Sequence, residues 1–320
     1  MTFRDALALH RGLRPLARCY HRRVIVDFHT HIFPPQVIEQ REHYVREDPT
    51  FALLYADPKA KLATAEDLLR SMDAASIDVS IALGFQWTSE ATCRLHNEYL
   101  IEAAEKSGGR IVPFCILPLA SSPGTIDIAV RHYVSVGVRG FGELRPENAG
   151  FVLESELALD ALGHASRERS ILMFHVSEPV GHAYTGKEGL NVGAFHKFVG
   201  SLQLRPMMRR RGEYVQSPLP AVIGAHWGGG LPFYASMPEV RRLFEGNVYV
   251  DTAASSLLYD DGVYERVVEL IGAERILFGS DYPLLSQKRS RERIEASGLD
   301  DAAKALILGD NAMRLLKCWQ

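Results

Sequence analysis

The chain has 320 residues, of which 47% are hydrophobic and 23% charged, proportions that suit one soluble globular enzyme with a large core. A formal charge of −3 offers no basic field for a phosphate backbone, which argues against a nucleic-acid partner. No apolar run reaches the ~18–20 residues that span a bilayer, so no membrane partner is expected either.

Residues 1–23 read as an N-terminal extension. Arg4, Arg11, Arg14, Arg18, Arg22 and Arg23 interleave with Leu7, Leu9, Leu13 and Leu16 against one acid, Asp5. Transit peptides share that composition, but so do amphipathic helices, and a structural or dispensable extension is the preferred reading. Residues 24–320 then form one unit. Val24 to His31 is a β-branched strand ending in His29-Thr-His31, and a polar loop is expected from Ile32 to about Lys61. Thr64 to Ala75 predicts a helix with one apolar face, and Val79 to Leu83 a buried strand. Ser89 to Lys106 predicts a helix stopped by Gly108-Gly109. Strands follow at Ile111–Ile116 and Val138–Glu143, with helices at Thr125–Val136 and Glu154–Arg169. Ile171–His175, Ala221–His226, Asn247–Asp251 and Arg275–Phe278 complete eight strands, and helices are expected at about 286–296, 300–308 and 311–316.

Eight apolar strands alternating with helices predict a parallel sheet. No linker or composition break divides them, and Gly228-Gly229-Gly230 lacks the spacing of a dinucleotide fingerprint. A single-domain α/β fold, a distorted (β/α)8 TIM barrel, is therefore expected in preference to a doubly wound sheet. Four scattered cysteines, Cys19, Cys93, Cys115 and Cys318, contain no Cys-x-x-Cys pair and suit the reduced thiols of a cytoplasmic protein.

Within that barrel, His29, His31, Glu143, His175, His226 and Asp281 all fall at or just past the C-terminal ends of different strands. Those ends meet at one mouth, where barrel enzymes place their active sites. His96, His132 and His164 fall instead in helical patterns, where they read as surface or packing residues. His29 and His31, two neutral imidazoles on one strand face, form half of a zinc-type coordination shell.

The ordered motifs Val-Asp-Phe-His29-Thr-His31-Ile-Phe-Pro, Phe-His175-Val, Gly-Ala-His226-Trp-Gly-Gly, Leu-Phe-Gly-Ser-Asp281-Tyr-Pro and Ile-Leu-Gly-Asp-Asn311-Ala resemble the amidohydrolase superfamily. They resemble most its amidohydrolase-related branch, which includes aminocarboxymuconate semialdehyde decarboxylase. The resemblance implies a β/α barrel holding one or two divalent metals. It implies His29, His31, His175 and Asp281 as ligands, and His226 as the histidine beside the metal-bound water.

Asp281 can also accept a proton from that water, which makes Asp281 and His226 the expected catalytic pair. Glu143 departs from the one-metal branch. It either adds a ligand that bridges a second metal or pairs with Arg139 or Arg145. Asp27 reads as an orienter of an imidazole or as a buried acid bonded to backbone. The long segment 176–219 is expected to cover the mouth. His182, Tyr184 and Lys187 could line the pocket from it, and Arg145 could grip a carboxylate. The Arg205–Arg211 run reads as a solvated helix face.

The expected activity is hydrolysis of a C–N, C–O or lactone bond of a small molecule through a metal-activated water. The alternative is non-oxidative decarboxylation of an aromatic or muconate-like acid at the same metal. A third reading is a catalytically idle barrel that binds metal or metabolite. One Zn²⁺ is expected, with a second if Glu143 bridges, and a homo-oligomer is compatible with all three readings.

Overall fold

The computed structural model describes residues 23–317, apart from 154, 156–157, 160–161, 163–164, 166–169, 188, 205–207, 211–212 and 216–220. Residues 1–22 and parts of the helix expected at 154–169 thus lie outside the described residues, as does His164. The described part of the Arg205–Arg211 run, Met208–Arg210, is a strand paired antiparallel with Glu213–Val215 and not the expected helix face. Eight parallel strands pair in sequence order: β1 (Val26–His31), β2 (Val79–Leu83), β3 (Ile111–Cys115), β4 (Gly140–Leu144), β5 (Ile171–Phe174), β6 (Val222–Gly224), β7 (Val248–Asp251) and β8 (Ile276–Leu277). Hydrogen bonds from Phe28 N to Phe278 O and from Asp281 N to His29 O join the last strand's exit to the first strand and close the barrel. The expected (β/α)8 barrel is the fold. No helix among the described residues is long and apolar enough to cross a membrane.

Alternating side chains build two cores. Val26, Phe28, Ile81, Phe114, Met173, Ile223 and Leu277 fill the barrel interior, and Ala312 and Leu316 of the last helix pack onto it. Each fully buried Phe or Leu contributes about 1.5–3 kcal/mol through lost contact with water. Gly140 makes room for this packing, since a Cβ there would stand 2.4 Å from the Phe114 ring. The residues facing the other way, among them Leu172, Phe174, Val222 and Val250, meet the helix layer.

The stretch after β1 differs from the expected loop. It folds as three short helices, α1 (Pro35–Glu39), α2 (Arg41–Glu47) and α3 (Pro49–Tyr55). Segments of five to seven residues are too short to show a helical period. Pro35 and Pro49 each take the first helical position, where proline's missing N–H costs nothing. The Asp48 carboxylate caps α3 through Thr50 N and Phe51 N, both at 2.9 Å, and also accepts from Thr88 N after β2 at 2.8 Å. Phe51 then stacks on Trp87 at 5.0 Å, which pins the insert over the barrel rim.

His96 ties the same region from below and is a packing residue. Its Nε2–H donates to Ile32 O (2.7 Å), while Nδ1 accepts from Trp87 Nε1 at 3.0 Å. Burial pushes its pKa down to about 4, against ~6.5 in an unfolded chain. The unfolded state therefore binds the extra proton, so His96's contribution is complete above pH ~6.5 and is lost as pH falls towards 4. The loss should be on the order of 3 kcal/mol over that window. Denaturant melts at pH 7 and pH 4.5 should show a shallower pH dependence in His96→Gln than in the wild type. Equal slopes would remove His96 from the account.

Candidate metal centre

Val26 and Phe28 point into the barrel, so strict alternation would send Thr30 inward and both neighbouring histidines away. The pairing of β1 with β2 slips between Asp27 and Thr30, and that irregularity turns His29 and His31 to the mouth. A like slip between Phe141 and Leu144 falls at Glu143. Asp27 stays apart from the cluster. Its carboxylate accepts from Ser280 Oγ (2.6 Å), Ser280 N (2.9 Å), Gln287 Nε2 (2.8 Å) and His29 N (3.2 Å). Burial lifts Asp27 to about 6 despite those donors, and its role is the backbone-holding one.

His226 leaves β6 in the left-handed region, at φ 57° and ψ 52°, followed by Trp227 at φ 57° and three positive-φ glycines. Each non-glycine there costs roughly 1–2 kcal/mol. Local bonds offset it: His226 N donates to Asp251 Oδ1 at 2.8 Å, and Trp227 Nε1 to Ser255 Oγ at 2.8 Å. Gly229 has no alternative, because a Cβ would lie 2.7 Å from Ser177 O.

The side chains converge in two groups. His29 Nε2 and His31 Nε2 stand 3.1 Å apart, with Asp281 Oδ1 at 3.6 and 3.8 Å from them. Glu143 Oε2 approaches the same pair at 4.0 and 3.7 Å. On the other side, Glu143 Oε1 meets His175 Nδ1 at 2.9 Å and His226 Nε2 at 3.2 Å. Glu143 thus faces an imidazole pair with each oxygen and makes no ion pair with Arg139 or Arg145 among the described residues. His175 joins the centre across Glu143, its Nε2 lying 3.3 Å from Ser177 Oγ, rather than beside His29 and His31.

The donor set fits a divalent cation. His29 donates from Nδ1 to Asp251 Oδ2 (2.7 Å), which turns Nε2 to the cluster, and His31 Nδ1 is buried with no hydrogen-bond partner among the described residues. Mixed imidazole and carboxylate donors within 4.8 Å of one another are the ligands such ions take.

The charges follow from the packing. Burial opposes a proton on His29, yet Asp251, then Glu143 and Asp281, raise it to about 10. Burial and the His29 charge lower His31. Burial, then Arg145, hold His175 at about 4. For His226 burial is outweighed by its bond to Glu143, and its pKa rises. Glu143 resists burial through the imidazoles bonded to it and stays well below the usual carboxylate range.

A cavity of about 450 Å³ opens above this floor. Leu54, Tyr55, Phe85, Leu257, Leu258 and Leu284 give it apolar walls. Arg145, His182 and Tyr184 line it, and Tyr184 Oη donates to Glu178 at 2.9 Å. Lys187, expected to line the pocket, folds back instead. Its Nζ donates to Val180 O (2.6 Å) and His182 O (2.8 Å) and staples the loop to itself. Sequence reasoning passed over Asp251, although it ends β7 by the same strand-end rule that found the others. It also passed over Tyr55, hidden in the unrecognised insert.

No curated protein matches the chain in sequence. Solved structures do match it in fold. The 5-carboxyvanillate decarboxylase of Sphingomonas paucimobilis superposes with a TM-score of 0.72 at 13% identity, covering 92% of this chain and 99% of that one. The 2,6-dihydroxybenzoate decarboxylase of Rhizobium gives 0.67 at 17% identity, over 93% and 99%. A dihydroxybenzoic acid decarboxylase of Polaromonas, with bound manganese and 2-nitroresorcinol, gives 0.70 at 16%, over 93% and 98%. The sequence profile of the amidohydrolase family matches residues 26–318, from the first barrel strand through the last helix, and the chain belongs to that family.

Proposed function

We propose that the chain is a metal-dependent, non-oxidative decarboxylase of an aromatic acid. The observation that carries this reading is Arg145, a buried cation at the foot of an apolar pocket beside the metal-type donors. Its Nη2 donates to Gly186 O (2.7 Å), its Nε has no hydrogen-bond partner, and no described acid lies within ion-pairing distance. A desolvated guanidinium without a carboxylate is a receptor for one. The solved proteins of like fold are decarboxylases of aromatic acids, which supports decarboxylation over the hydrolysis expected first.

A divalent cation held by His29, His31 and Asp281, with Glu143 and His175 as further candidate ligands, supplies Lewis-acid polarisation of the substrate's oxygens. Zn²⁺ and Mn²⁺ both suit these donors. Arg145 anchors the acid, and the walls from Leu54 to Leu284 hold its ring and keep water out. His226 is the proton donor. Burial makes its charge costly, Glu143 keeps the Nε2 proton in place, and the ring carbon takes that proton as the bond to carboxylate breaks. Carbon dioxide leaves and C–H replaces C–CO₂⁻, with the bonding pair going to the proton.

Purified protein should carry one divalent metal per chain by elemental analysis, lost in His29→Ala and in Asp281→Ala. One equivalent retained in Glu143→Gln keeps Glu143 in a supporting role, whereas a second equivalent lost in that variant makes it a bridge. Because a cation must displace the proton held on His29, metal uptake should release protons. Affinity should then rise about tenfold per pH unit for each proton displaced. Calorimetry in buffers of different ionisation enthalpy reads this directly, and a buffer-independent heat would contradict it.

Incubation with hydroxybenzoic acids should release carbon dioxide, and in D₂O should place deuterium at the vacated carbon. His226→Asn should keep its metal and lose about 10²-fold or more in turnover. Hydrolysis of esters, amides or lactones without carbon dioxide release would restore the hydrolase reading. Arg145→Leu should raise KM about 10–100-fold, the ~1.5–3 kcal/mol scale of a charged hydrogen bond, with metal content unchanged. An unchanged KM would free the carboxylate from Arg145.

A further inference from the structure

Asp251 is wholly buried at the end of β7, and no apolar, catalytic or ligand role accounts for it. Its two oxygens are divided between two tasks. Oδ2 lies 2.7 Å from His29 Nδ1, while Oδ1 accepts from His226 N at 2.8 Å and Ala253 N at 3.1 Å. One carboxylate therefore grips the ring of a β1 histidine and the backbone of the β6 histidine in its left-handed turn.

The surroundings are shaped to this pair. A Cβ on Gly279 would come 2.8 Å from His29 Cβ and 3.3 Å from Asp251 Cγ, so only glycine lets the β8 backbone pass behind them. Thr252, next to Asp251, clips that backbone in both directions: its Oγ1 donates to Gly279 O (2.9 Å) and accepts from Gly279 N (3.0 Å).

We infer that Asp251 is a positioning residue that sets the tautomer of His29, and through it the metal affinity of the centre. An oxygen facing Nδ1 keeps a proton on Nδ1, so Nε2 is the nitrogen that gives up its proton and offers its lone pair to a cation. Carboxylates that orient ligand histidines in this way are worth about 10–100-fold in metal affinity. The same carboxylate holds His226 over Glu143, so one residue aligns the ligand and the proton donor. The inference rests on His29 being a metal ligand.

The isosteric change separates this role from packing. In Asp251→Asn, the backbone N–H groups of His226 and Ala253 keep the amide oxygen on their side. The amide NH₂ must then face His29 Nδ1, which becomes an acceptor and moves the ring proton to Nε2, where it blocks the cation. Asp251→Ala leaves His29 free to choose its tautomer but strands two buried N–H groups, so it should be the less stable variant. Tautomer control therefore predicts the inverse order for metal: Asn binds worse than Ala. A packing role predicts that Ala binds worse than Asn.

Co²⁺ affinity, measured by competition with a chromophoric chelator and by the cobalt visible spectrum, should fall about 100-fold in Asp251→Asn and less in Asp251→Ala. The melting temperature of metal-free Asp251→Asn should stay within about 5 °C of wild type. Should Asp251→Ala fail to fold, ¹⁵N spectra of histidine-labelled, metal-free protein give the answer alone. His29 Nδ1 should be protonated in the wild type and bare in Asp251→Asn. A bare Nδ1 in the wild type, a protonated one in the variant, or Co²⁺ affinity in Asp251→Asn within about threefold of wild type overturns the inference. Wild-type protein that binds no Co²⁺ would sink the metal reading instead, while the ¹⁵N result would still judge the tautomer.

Discussion

The centre depends on how the barrel closes. β1 and β8 meet through a few irregular hydrogen bonds, from Phe28 N to Phe278 O and from Asp281 N to His29 O, rather than through a long ladder. Those bonds run through the ligand candidates' own backbone. His29 supplies the carbonyl and Asp281 the amide, so their side chains leave adjoining backbones towards one point. Asp281 adopts φ 66° to do so, a conformation unfavourable for a side chain with a Cβ. The strain is local, and the barrel around it determines the geometry.

Much of this was legible in the residues. Strands as apolar as Val79–Leu83 and Ile171–Phe174 can be read because burial on both faces leaves short, nearly continuous apolar runs. A parallel barrel then brings all strand ends to one rim, which is why residues 250 positions apart could be assigned to one cavity. Illegible were the features that depend on exact register. The slip in β1 sends Asp27 away from His29, contrary to simple alternation, and no composition signals a slip. Nor could the division of Glu143 between two imidazole pairs be read, since it depends on angles at the end of β4. Asp251 was within reach of the strand-end rule. An aspartate closing a strand has too many ordinary explanations to be chosen without its partner in view.

The hydrolase expectation and the decarboxylase proposal share the same floor, because donor type and spacing prescribe a metal and little else. What separates them is the space above. Arg145 places a fixed positive charge beside the centre, held by a carbonyl of the 182–186 loop rather than by an acid. Hydrolysis of a neutral lactone has no use for that charge, whereas an aromatic acid does.

Floor and walls come from different parts of the chain. The floor is made by strand ends locked into the closure, where Gly229 and Gly279 already leave no space for one more carbon. The walls come from α3, the 182–186 loop, the short helix Ser255–Leu258 after β7 and the segment after β8, with anchoring bonds such as Asp48 to Thr50 and Lys187 to Val180. Residues such as Leu54 and Leu257 can therefore drift in size without disturbing the barrel seam. Substrate preference in this molecule is a separable trait, free to diverge while the chemistry beneath it is inherited unchanged.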